Sequence, residues 1–176
     1  MKTILRGILI TLAFFMLNNT FAQVKPTGPG PQPVSATISA KGTVLAPISV
    51  VSTRDLDFGN DLLPGVPRVI AKTSNSSGKF SIMGQNGKEV SIVMSTPANL
   101  TSGENVLILY FNPDDAGYVI PGGTMTDFDP LSPVNAVFGT ENTMDVYLGG
   151  TVSPTYTQPG GLYEGFITVE FYYTGN

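Results

Sequence analysis

The sequence predicts an all-β chain: an antiparallel β-sandwich built without helices. Three observations carry that reading. Apolar residues recur at every second position over the longer ordered stretches, which is the period of a strand with one face in a core. No stretch shows a convincing 3.6-residue repeat. Twenty glycines and 14 prolines in 176 residues punctuate the alternating runs at short intervals. About eight to ten short strands with this spacing suit a sandwich of immunoglobulin-like type, and the lack of a fixed-period repeat argues against a solenoid or propeller.

The first 22 residues are set apart by their own pattern. MKTILRG carries Lys2 and Arg6, ILITLAFFML is an unbroken run dominated by apolar side chains, and Thr20 and Ala22 are small residues at the positions a signal peptidase reads. A secretory signal peptide over residues 1–22 is expected, with cleavage after Ala22, and hence an exported chain: extracellular, at the cell surface or in the periplasm. The apolar run falls well short of the roughly 20 residues that span a bilayer. No later stretch is long and apolar enough to cross a membrane as a helix. Next comes QVKPTGPGPQP (23–33), whose prolines and glycines predict an extended tether. A single sandwich domain is expected over residues 34–176.

From Val34 to Val50 every even position is apolar or glycine, and most odd positions are polar. Such a run exceeds an ordinary strand and predicts two strands broken near Gly42 or Pro47, or one long strand shared between two sheets. Further strands are predicted at RDLDF (54–58), RVIAKT (68–73), KFSIMG (79–84), KEVSIVMS (88–95) and NVLILYF (105–111). TMTDFD (124–129), NAVFG (135–139), MDVYLGGTV (144–152) and FITVEFYY (166–173) complete the set. Asn86-Gly87, between two alternating runs, is the strongest hairpin signal in the chain.

Charge and composition exclude several functions. Lys2 and Arg6 account for two of nine basic residues, so seven remain against 13 acidic ones after residue 22, a balance of −6. That balance argues against nucleic acid and against anionic lipid as partners. With no histidine and no cysteine, the chain has no Ser-His-Asp triad, Cys-His pair, disulfide or zinc site of the usual ligands. Asp55 and Asp57 would share a strand face, as would Asp127 and Asp129. All four lie beside turn residues, where aspartate commonly bonds to backbone amides, so no enzyme is expected. Asp114, Asp115, Asp127 and Asp129 could together offer calcium its oxygens, but no spacing matches a defined calcium loop. Solvated loop carboxylates are expected instead, with no metal and no cofactor. Tyr110, Tyr118, Tyr147, Tyr156, Tyr163 and Tyr172 are candidates for a sugar-stacking platform, which keeps a secreted glycan-binding module as the alternative function.

SATISAKGTVLAPISVVSTRDLDFGN, then MDVYLGGTV and PGGLYEGFITVEFYY, resemble the opening and closing halves of the secreted bacterial family called domain of unknown function 4402. The resemblance covers most of residues 35–174 and extends in pattern to pilin-like and spore-coat-U-like adhesin domains. It implies a pilin-like sandwich and a cell-surface or extracellular setting. Gly161 and Tyr173 reproduce the spacing that pilin subunits of the chaperone and usher route have between a glycine and a near-terminal aromatic. The three residues that follow Tyr173 and the lack of a disulfide depart from that pattern.

A physical mechanism joins the two ends of the chain. A sandwich lacking its last strand exposes a groove that an extended peptide from a neighbour fills by β-augmentation. Val34, Ala36, Ile38 and Ala40 are the candidate donor residues. Gly161, Ile167, Val169, Phe171 and Tyr173 are the candidate groove along the C-terminal edge strand. The competing expectation makes residues 34–41 the domain's own first strand, paired internally. The predicted function is that of an exported structural or adhesive surface protein, with self-association or related surface subunits as partners.

Overall fold

Most strands form where apolar and polar residues alternate, and they divide among three antiparallel sheets. The computed structural model describes residues 36–175; the predicted signal peptide, the tether and Val34 lie outside the described residues. From Thr43 onward the chain forms one compact unit, and residues 36–42 form no strand. The strands in chain order are β1 (Ser49–Arg54), β2 (Arg68–Ile70), β3 (Gly78–Met83), β4 (Glu89–Ser95), β5 (Asn99–Ser102) and β6 (Asn105–Tyr110). They continue with β7 (Ala116–Val119), β8 (Thr126–Phe128), β9 (Val134–Val137), β10 (Thr143–Leu148), β11 (Gly150–Ser153) and β12 (Thr168–Tyr173). No helix occurs among the described residues.

A five-stranded sheet in the order β1-β3-β10-β7-β8 and a three-stranded sheet in the order β12-β4-β9 share one core. Alternation decides which side chains enter it. Met144, Val146 and Leu148 of β10 are buried, while Thr143, Asp145 and Tyr147 between them are only partly so. Ile82 of β3 and Val90 and Ile92 of β4 meet them from both sides. Each such side chain contributes about 1.5–3 kcal/mol when fully removed from water. The remaining sheet, β2-β11-β6-β5, carries a smaller core of Phe58, Leu107, Leu109 and Val152. Phe111 packs against both cores.

Four sequence expectations are corrected. MDVYLGGTV is not one strand: β10 lies in the five-stranded sheet and β11 in the four-stranded one. The change occurs at Gly149, where a Cβ would collide with the Ile70 carbonyl oxygen and lie 2.7 Å from the Lys72 amide nitrogen. The Asn86-Gly87 turn is not a hairpin either. Gly87 has the positive φ that such a turn needs, at 71°, but β3 already pairs with β1 and β10, and β4 with β12 and β9. The turn therefore carries the chain from one sheet to the facing one. Finally, the strand predicted at 54–58 ends at its first residue, and among the described residues the alternation predicted from Val34 to Val50 yields strand only from Ser49. β5 and β7 were not expected, because NLTS and AGYV are too short and too poor in large apolar residues to show an alternating run.

The two flanks of the shared core differ. On one side β8 and β9 are joined by residues 129–133, and Phe128, Pro130, Ala136 and Phe138 there are buried. On the other side lie β1 and β12. Among the described residues, β1 pairs only with β3, and β12 only with β4. Val50 lies opposite Ile82, and Tyr173 and Phe171 lie opposite Val90 and Ile92, so these pairs share the inward face. Yet Val50 is 40% exposed where Ile82 is wholly buried, and Val169, Phe171 and Tyr173 are only half-buried. The second flank is open.

Candidate strand-docking groove

The open flank is bounded by two edge strands. β1 and β12 each present one row of backbone N–H and C=O groups that no strand among the described residues pairs, which is the template for β-augmentation. Ile167, Val169, Phe171 and Tyr173 all pack against the shared core, as does Ile48 just before β1. The inward face of each edge is therefore apolar and incompletely covered.

The two ends of this groove are unlike. At one end the Tyr173 hydroxyl donates to the Ala46 carbonyl at 3.0 Å and accepts the Gln85 amide at 2.9 Å. The Gln85 side-chain oxygen in turn accepts the Ala46 amide at 3.0 Å. The Tyr173 ring sits edge-on to Phe138, with centroids 6.5 Å apart, so packing holds the hydroxyl in place. These bonds fasten the approach to β1 onto the end of β12, and because Ser52 and Ile167 line one cavity at the other end, the two strands run in opposite senses.

At the other end, beyond Ser52 and Ile167, the groove opens into a cavity of about 900 Å³. Phe80, Leu107, Leu109 and Leu148 contribute to its lining, along with the segments around residues 55–64 and 158–166. Gly161 lies on this cavity, not on β12. A Cβ on Gly161 would stand 2.9 Å from the Ser102 hydroxyl, so this loop passes close to β5. Arg54 lies at the rim, and its guanidinium donates to the carbonyl and, at 2.7 Å, to the hydroxyl of buried Ser77.

The sequence-predicted groove residues Ile167, Val169, Phe171 and Tyr173 are thus brought together along one edge, with Gly161 at its wide end. Of the donor candidates, Ala36, Ile38 and Ala40 belong to a segment that forms no strand, and Ile38 is 92% exposed. Sequence reasoning missed Val50 on the opposite wall and the clasp partners Ala46 and Gln85. An inward tyrosine with its polar tip to satisfy was the available signal for the clasp, but nothing in the sequence identifies its partners.

The calcium candidates do not gather into one site. Asp115 accepts the Asn112 amide at 2.7 Å, and Asp129 accepts the Leu131 amide at 2.9 Å and the Ser132 hydroxyl. Asp127 pairs with Lys72 at 3.3 Å, and the Asp114 carbonyl accepts from the same lysine. Among the described residues, no three acidic side chains are grouped to hold a metal ion. Asp57 likewise bonds its own turn at the Gly59 amide, 2.8 Å away. The six tyrosines are spread over the molecule. Tyr118 packs inward on Phe128, Tyr147 lies under Lys79, Tyr163 bonds Gln158 and Pro159, and Tyr156 covers Gly65. Tyr110 and Tyr172 lie on β6 and β12, in different sheets.

No family model, curated protein or solved structure matches the chain.

Proposed function

We propose that this chain is an exported, immunoglobulin-like and pilin-like β-sandwich that serves as a structural or adhesive surface subunit and assembles by strand donation. The observation that carries the reading is the pair of edge strands, β1 and β12, that flank an apolar groove with neither outer edge paired among the described residues. The donor is the alternating stretch Val34, Ala36, Ile38 and Ala40 of a neighbouring copy, of which the described part forms no strand and leaves Ile38 exposed. Backbone pairing along β12 would supply affinity, and the alternate side chains would fill the groove. The resemblance of the opening and closing stretches to the secreted family named above supports the same reading. It involves no catalysis.

Assembly of this kind appears as a ladder of SDS-resistant multimers when the full chain is run without heating. Ile38→Asp places a charge in the groove on docking while leaving the rest of the chain untouched. It should abolish the ladder and leave the melting temperature of the monomer unchanged. A ladder that survives Ile38→Asp, or a wild-type chain that stays monomeric at high concentration, overturns the reading.

A further inference from the structure

We infer that the clasp of Tyr173, Ala46 and Gln85 is a register stop for the docked strand, an inference that rests on the strand-donation reading above. The donor stretch carries little register information of its own. Val34, Ala36, Ile38 and Ala40 repeat with period two, so a slip of one residue turns the apolar set to the wrong face, whereas a slip of two restores it. Positions two residues apart differ in exchanging Val34 and Ile38 for Ala36 and Ala40, a difference of a few methyl groups along an open flank. A fixed stop at the end of the groove adds to that side-chain fit in setting the register.

The structure supplies a stop at one end only. At the wide end the groove runs into a cavity of about 900 Å³, which leaves room for an overhanging strand end. At the narrow end both backbone groups of Ala46 are already committed, the carbonyl to Tyr173 and the amide to Gln85. The Tyr173 hydroxyl also holds the Gln85 amide. A strand lying between β1 and β12 cannot pass this point without breaking that set of bonds while its own groups take their place. The strand therefore ends against the clasp. Tyr173 and Gln85 act as positioning residues, through the backbone they tie together.

The absence of cysteine from the chain makes the register directly readable, because introduced thiols can pair only with each other. Three full-length double variants combine Val169→Cys with Ala36→Cys, Ile38→Cys or Ala40→Cys, and inter-chain disulfide yield is measured after mild oxidation. One of the three should exceed the other two by roughly fivefold, about what one hydrogen bond is worth as a ratio. Adding Tyr173→Phe, which keeps the ring against Phe138, should bring the three yields to within about twofold. Gln85→Ala releases only the Ala46 amide, leaving both bonds of the Tyr173 hydroxyl in place, and should reduce the spread part of the way. Equal yields in the original background, or one dominant register persisting in both opened variants, overturn the stop while leaving strand donation standing. Disulfides that close only within one chain, or none in any variant, overturn the second-copy donor and the stop with it.

Discussion

The Tyr173 hydroxyl donates to the Ala46 carbonyl across 127 residues of sequence, at 3.0 Å, and so ties the last strand to the approach of the first. Tyr173→Phe removes that bond and leaves the Gln85 amide without its acceptor, but it retains the ring packing on Phe138. A loss of about 1–2 kcal/mol is expected in denaturant unfolding, with no change in m-value. Tyr173→Ala also forfeits the packing and should lose about 3–4 kcal/mol.

The open flank should show as an asymmetry between neighbours on one face. Val50 and Ile82 are opposite each other on β1 and β3, but only Ile82 is fully buried. Ile82→Ala should cost about 3 kcal/mol in the monomer, and Val50→Ala less than about 1 kcal/mol. Comparable losses in chemical unfolding would mean that the flank is covered in the monomer.

Gly149 stands where the chain leaves one sheet for another. A methyl group there meets the backbone of Ile70 and Lys72, which cannot move aside as a side-chain end could. The Gly149 amide also bonds the Asp115 carbonyl at 2.7 Å. Gly149→Ala should destabilise the chain by about 3 kcal/mol, read as a lowered midpoint in urea. Gly87→Ala meets no neighbour and should cost about 1 kcal/mol from its positive φ alone.

On the outer face of the five-stranded sheet, Asp145 accepts from Lys79 at 2.8 Å and from Ser81 at 2.6 Å. Partial burial pushes its carboxyl up, but the bonds from Lys79 and Ser81 outweigh that and hold it below the usual carboxylate range. The same contact raises Lys79 against a smaller opposing effect of burial. The stability contributed through Asp145 is therefore present above the ordinary carboxylate pKa and lost as the pH falls through the depressed native value. With the Asp145 side chain 35% exposed, solvent screening limits the effect to about 0.5–1 kcal/mol. An acid titration of unfolding stability should steepen below about pH 4, and Asp145→Asn should remove that part of the slope. An unchanged slope in the variant would show that other carboxylates carry the acid dependence.

The all-β class and the positions of most strands are legible in the amino-acid sequence, because side-chain alternation is a local property that commits one face of a strand to a core. The sequence also marked Ile167, Val169, Phe171 and Tyr173 as one inward row, for the same reason. Pairing partners are not local. Asn86-Gly87 sets a positive φ but leaves open which sheet receives the next strand, and β3 had both edges taken by β1 and β10. MDVYLGGTV alternates without a break, and only the close approach of the Ile70 and Lys72 backbone at Gly149 divides it between sheets. The tertiary structure alone decided that β1 and β12 end as facing edges, that one end of the groove between them is clasped by Ala46 and Gln85, and that the other end opens into a cavity. Each of these depends on which distant backbone groups meet, and a one-dimensional pattern of polar and apolar residues carries no record of that.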